Sequence, residues 1–203
     1  VSARPRHRSP ARLLLGGQAW LRWLHLVLGG ALLMPYLLLG SVFIGPTADG
    51  RGGFLESPAQ QFAAYAVAVP LAAASAFFPL ARPLSVAAAR ALCGIPEGRL
   101  AAGDGRTWAA RVRTSCWYAL HVGLGGIISG MTLAVPPFAV GLALSPFFAA
   151  LREPRLGLPV FFRAGWGIAL APFAGLLMLL ALAACAAVTG ALLARLAPVL
   201  LGP

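Results

Sequence analysis

Apolar residues run along this chain in long blocks, and four blocks contain no Asp, Glu, Lys or Arg: residues 23–48, 57–81, 114–151 and 164–194. A helix rising 1.5 Å per residue needs about 20 residues to cross a hydrocarbon core of about 30 Å, and each block meets that length. The first two refine to spans over residues 20–44 and 61–81. Gly45-Pro46 closes the first. The second carries Ala64, Ala68, Ala72 and Ala76 at intervals of four, a face that lets another helix come close. Pro70 is placed to kink it. Arg82-Pro83 is expected to end span two, and residues 84–92 read as a short amphipathic helix on the inner leaflet, with Arg90 opposite Leu84, Ala88 and Leu92. A Gly-containing connector over residues 94–105 follows.

As one helix the third block would measure about 57 Å, too long for a single crossing. Pro136-Pro137 is the expected break. Residues 114–135 suffice for a span, which leaves 136–163 as an outer segment; alternatively residues 138–151 form a short fifth crossing and place the C-terminus outside. The fourth span is expected over residues 165–194, with Ala183, Ala187 and Ala191 on one face. Gly126, Gly130 and Ala134 make a matching ladder on span three, including a literal Gly-x-x-x-Gly, a spacing that permits tight packing within the chain or between chains.

Composition agrees with a membrane class: 60% of residues are hydrophobic and 10% charged, against about 25% charged in soluble domains. All 16 basic residues are arginine, which reads as genomic composition bias. The net charge of +11 does not indicate nucleic acid, because the arginines map onto topology. Arg4, Arg6, Arg8, Arg12 and Arg22 precede or open span one; Arg82, Arg90, Arg99, Arg106, Arg111 and Arg113 lie between spans two and three; the first outer loop holds Arg51 against Asp49 and Glu56. The excess of Arg in cytoplasmic segments puts the N-terminus inside, residues 45–60 outside and residues 82–114 inside. With four spans the C-terminus is also inside, in the cell membrane. Arg90, Arg111 and Arg113 are candidate contacts for anionic lipid heads. Residues 1–19 lack the short apolar region and cleavage site of a signal peptide, so the first helix is expected to remain as an anchor. Cys93, Cys116 and Cys185 show neither a disulfide framework nor zinc-ligand spacing.

One phrase occurs twice: Leu24-His25-Leu26-Val27-Leu28-Gly29-Gly30 and, 96 residues later, Leu120-His121-Val122-Gly123-Leu124-Gly125-Gly126, with five of seven positions identical. Both copies open an outward-going helix. The expected fold is therefore an all-α polytopic membrane protein with four transmembrane helices in two parallel-repeat hairpins. Its parts are a basic tail (1–19), a first hairpin (20–81), a basic cytoplasmic linker (82–114) and a second hairpin (115–203). Gly29, Gly30, Gly125, Gly126 and Gly130 are the candidate helix-packing residues. His25 and His121 are the candidate sensing or ligand residues, as packing groups, as a protonation switch or as axial ligands of a haem. No carboxylate pair lies within a span, and there is no phosphate-binding loop, catalytic triad or metal-ligand cluster, so no catalytic residue and no metal site are assigned. No cofactor is required other than haem in that alternative.

Trp23-Leu24-His25 with its Gly pair, Ala89-Arg90-Ala91-Leu92-Cys93-Gly94, and the ending Ala194-Arg195-Leu196-Ala197-Pro198-Val199-Leu200-Leu201-Gly202-Pro203 resemble the N-terminal transmembrane sensor region of actinobacterial two-component sensor histidine kinases. The resemblance implies an input module that relays an envelope or lipophilic signal, a homodimer among membrane lipids, and a kinase core or response regulator as the cytoplasmic output. The phospho-accepting His box and the ATP-binding boxes of such kinases do not occur in these 203 residues. The alternatives are a haem-binding electron carrier, or a scaffold or small exporter subunit acting by association. A reporter enzyme active only outside the cell is expected to work when fused after residue 50 and to be silent after residues 100 and 203. Activity at residue 203 would establish the fifth crossing instead.

Overall fold

The computed structural model describes residues 16–44, 57–100, 107–153, 159 and 162–202. The tail over 1–15, the loop over 45–56, connector residues 101–106 and most of segment 154–161 lie outside the described residues. The described chain forms five α-helices: α1 (Gly17–Ile44), α2 (Pro58–Ser75), α3 (Ala81–Cys93), α4 (Trp108–Leu144) and α5 (Trp166–Leu201). Single 3-10 turns lie at Glu97–Arg99 and Ala149–Arg152. The protein is all-α, and α1, α4 and α5 are each long and apolar enough to cross a membrane, the mark of a multi-pass membrane protein.

Helix α2 starts where its capping chemistry dictates. The Ser57 hydroxyl accepts from the Gln60 N–H, and Pro58 fills a first-turn position whose missing N–H costs nothing. The helix stops at Ser75 rather than at residue 81, because the chain turns through Ala76–Leu80 around Pro79, which has no N–H to extend the ladder. At 18 residues it is about 27 Å long, the least able of the apolar helices to span. Its alanines at intervals of four are its packing face: Ala64, Ala68 and Ala72 are fully buried. Arg82-Pro83, expected to end a helix, instead lies in the first turn of α3, where proline is tolerated. Helix α3 buries Arg82, Val86, Ala89 and Cys93 against the bundle and leaves Leu84 exposed. It ends at Gly94, whose φ of 67° is the left-handed conformation that glycine adopts without strain.

The largest departure from expectation is α4, which runs unbroken through Pro136-Pro137 to Leu144. Each proline removes one ladder bond, but backbone groups within a hydrocarbon core have no water as an alternative partner, so there continuing the helix costs less than stopping it. One turn earlier the Thr132 hydroxyl donates back to the Ile128 carbonyl and accepts from the Trp23 indole, supporting the weakened stretch. Residues 136–144 are therefore part of α4 rather than of an outer segment. Helix α5 likewise continues past Arg195 and Pro198 to Leu201.

Helices α4 and α5 run antiparallel: Ala139 meets Gly175 towards one end, and Trp117 shares a core with Ala197 and Leu201 at the other. The buried stripe of α5 includes Gly175, Leu182, Ala186, Gly190, Leu193 and Ala197, one position beside the expected alanine ladder, whose members are half-buried. The pairs α1/α2 and α4/α5 close on the same device, a glycine against an alanine carbonyl. A Cβ on Gly40 would stand 2.6 Å from the Ala64 oxygen, and one on Gly175 would stand 2.6 Å from the Ala139 oxygen. Gly175→Ala is accordingly expected to cost about 1–3 kcal/mol in detergent unfolding. Gly141→Ala, with open space around it, is expected to gain about 0.4–1 kcal/mol; equal effects would refute the close-contact assignment.

Candidate functional site

The two copies of the repeated phrase pack on each other. Helices α1 and α4 cross with Gly29 against Gly125: a Cβ on Gly125 would lie 2.9 Å from the Gly29 Cα and 2.5 Å from the Leu26 carbonyl oxygen. Around this point the contacts exchange under the repeat offset. Gly30 meets the Ser129 side chain, and Gly126 meets the Leu33 side chain; these are the same pair of repeat positions with the helices swapped. The crossing is thus nearly self-complementary, as an interface between identical partners is. It is also steep. Before the crossing on α1, His25 reaches back along α4 to His121, while Trp23 reaches forward to Thr132.

His25 and His121 are buried at the crossing, their rings stacked with centroids 4.0 Å apart and planes 12° from parallel. The Nε2 of His121 lies 2.9 Å from the His25 carbonyl oxygen. A carbonyl only accepts, so this nitrogen carries the proton. The glycine four residues after His25 makes that bond possible, since a Cβ on Gly29 would stand 3.1 Å from His121 Nε2 and 2.5 Å from the His121 carbonyl oxygen. The symmetry breaks at the partner ring: neither nitrogen of His25 has a hydrogen-bond partner among the described residues. Fully buried Trp117 completes the stack, with its ring 6.2 Å from His25 and 6.0 Å from His121.

Stacked imidazoles set their nitrogens side by side rather than converging on one point, and no group of three metal-ligating side chains occurs among the described residues. Two axial histidines must approach a haem iron from opposite faces of the porphyrin. Rings in contact at 4.0 Å leave no room for one. The pair does not fit a haem.

A second constellation lies at the end of the bundle shared by α3, the start of α4 and the end of α5. The buried Arg82 guanidinium donates to Thr114 Oγ1 at 3.2 Å and to the carbonyl oxygens of Leu201 and Gly202 at 3.0 Å each. Carbonyls at a helix C-terminus have no intrahelical partner and carry the negative end of the helix dipole, so an arginine there satisfies both needs. Burial and the neighbouring Arg113 lower the Arg82 pKa from its ordinary value, without taking an arginine near deprotonation. Nearby, burial pushes the Cys93 thiol up to about 11, offset in part by Arg22, which makes it an unreactive packing group.

The remaining predicted residues are spread out. Arg90 donates into the fold, to the Leu100 carbonyl, while Arg111 is exposed and Arg113 half-buried. Gly126 sits under Leu33 and Tyr65, but Gly130, expected at a helix crossing, has open space around it and lines a groove instead. Sequence reasoning missed Trp117 and Arg82 as organising residues. Trp117 is four residues before His121 and hence on its face, a readable signal; Arg82 looks like any other topology arginine until α3 turns it inward.

No protein-family model, curated protein or solved structure matches this chain. Arg82→Gln removes charged hydrogen bonds worth about 1.5–3 kcal/mol each where buried. It is expected to lower the unfolding midpoint in detergent clearly, whereas the exposed Arg111→Gln leaves it within error. An unchanged midpoint for Arg82→Gln would remove the clamp.

Proposed function

We propose that this chain is the membrane-embedded input module of a two-component sensor histidine kinase, with four crossings and both termini on the cytoplasmic side. In this reading α2 is the fourth, short crossing, α3 is an interfacial linker helix, and α5 carries the signal to a kinase core or to a response-regulator pathway. The sequence resemblance supports the family. The observation that carries the mechanism is the Arg82 clamp, which joins the linker helix, the start of α4 and the C-terminal carbonyls of α5 in one set of hydrogen bonds.

Signalling by such a module needs two packings of similar energy that a stimulus favours unequally. The α1/α4 crossing supplies an element whose rearrangement reaches the exit. Leu26 of α1 and Trp117 of α4 share one core with Leu193, Ala197 and Leu201 of α5 and with Val86, Ala89 and Cys93 of α3. A change of crossing angle at Gly29 and Gly125 displaces Trp117, and through it the last turns of α5. An envelope or lipophilic signal acting on the outer half of the bundle would then be read at its inner end. Homodimerisation is what the family resemblance implies.

Fusion of residues 1–203 in frame to a cytoplasmic histidine-kinase core provides the test. Arg82→Gln and Gly29→Ala are expected to change autophosphorylation in membranes by at least about fivefold, the lower range of ordinary coupling energies, at equal membrane abundance. Arg111→Gln is expected to leave it unchanged. Output indifferent to both Arg82 and Gly29 would overturn the proposal.

A further inference from the structure

We propose, resting on the reading of the α1/α4 crossing as the element that rearranges, that the stacked His25 and His121 rings are a proton sensor. They hold α1 against α4 while neutral and release it when protonated. Three features of the closed crossing need neutral rings. The imidazoles stack with centroids 4.0 Å apart, so two positive charges would face each other across that distance. His25 is 1% exposed and neither of its ring nitrogens has a hydrogen-bond partner among the described residues, so protonation would leave a buried cation without an acceptor. Water has no way in to supply one. A Cβ on Gly29 would stand 2.5 Å from the His121 carbonyl oxygen, and one on Gly125 would stand 2.5 Å from that of Leu26, so the backbones are already in contact on both sides.

The surroundings offer no counter-charge. The acidic residues Asp49, Glu56, Glu97, Asp104 and Glu153 all lie outside the five α-helices. On α1, Arg22 is one turn before His25 and lies against Gly190 of α5. Helix α3 brings Arg82, bonded to Thr114, and Cys93, which shares a core with Leu26 and Trp117. Helix α2 brings Tyr65, whose hydroxyl donates to the Gly123 carbonyl, and α4 itself adds Tyr118 and, near its start, Arg113. Helix α5 contributes only Ala186, Leu193, Ala197 and Leu201 to the buried core around Trp117. Between about pH 5 and pH 8 all these groups are cationic or neutral. Imidazole is the side chain whose charge ordinarily changes in that range. Proton uptake therefore belongs to the open crossing, where water reaches the rings, and each proton bound on opening favours that form up to about tenfold per unit fall in pH. Opening withdraws the His121 donor from the His25 carbonyl and releases Trp117, the side chain that packs into the core of α3 and α5.

The test follows the rings and the crossing rather than kinase output, so this sensor and the kinase reading fail separately. The full chain is placed in lipid bilayers with isotope-labelled histidine rings and titrated from about pH 8 to about pH 5, with ring protonation read by solid-state NMR. His25 and His121 are expected to be neutral at the upper end and to gain protons as the bond from His121 Nε2 to the His25 carbonyl is lost. Amide hydrogen exchange at Gly29 and Gly125, corrected for its own pH dependence, is expected to rise at least about tenfold over the same range. Exchange at Leu179 and Leu180 of α5 is expected to stay constant. His25→Phe, a stacked ring without a titratable nitrogen, is expected to remove most of the rise. Should that variant fail to fold, the wild-type titration decides alone. Rings that stay neutral to the acid end, or that take up protons with the bond and the exchange unchanged, would overturn the sensor. So would a rise shared equally by α5, which is general unfolding, or one that His25→Phe leaves intact.

Discussion

Helices inside a membrane gain little from apolar contact with each other, since lipid tails are as apolar as leucine, so close backbone approach and directed hydrogen bonds must hold them. In this protein the approach is closest where Gly29 of α1 meets Gly125 of α4. Other features are set by that distance. The missing Cβ of Gly29 lets the His121 ring reach the His25 carbonyl, the stacked imidazoles fix the neighbouring Trp117, and Trp117 fills the core that α3 and α5 share. Widening the crossing by one methyl group disturbs all three at once.

The same economy governs the charged end. An arginine withdrawn from water costs free energy unless its donors are satisfied. Arg82 finds three acceptors, two of which are carbonyls that α5 leaves unpaired at its C-terminus. One side chain thereby meets the needs of two elements, and α3 is held to α5 by hydrogen bonds from an arginine to backbone carbonyls. Gly94 and Gln18 add a smaller tie, as the Gln18 amide donates to the Leu92 carbonyl and joins the start of α1 to the end of α3.

Much of the local structure was legible. Charge-free blocks marked the apolar helices, the Ala64-Ala68-Ala72 spacing marked the packing face of α2, and the amphipathic stretch after Arg82 marked α3. Two boundaries were not. Pro136-Pro137 reads as a break under rules learned in water, yet α4 continues because a membrane offers its carbonyls no other donor. Pro79 rather than Arg82-Pro83 turns the chain after α2, since proline in a first turn is harmless and proline after a last turn is not.

Periodicity and charge along one dimension determined that the chain is helical, apolar and built on a repeated phrase, because helix formation and partition into hydrocarbon depend on neighbours within a few residues. Which repeat positions touch was decided in three dimensions. The two histidines could have been distant equivalents, one per hairpin, and the sequence is the same in either case. Only the crossing of α1 and α4 at Gly29 and Gly125 brings them to 4.0 Å, makes one the donor to the other's backbone, and excludes a porphyrin between them. Likewise Gly126 and Gly130 are equivalent in sequence, and only the position of Leu33 and Tyr65 makes one a packed contact and the other the open floor of a groove.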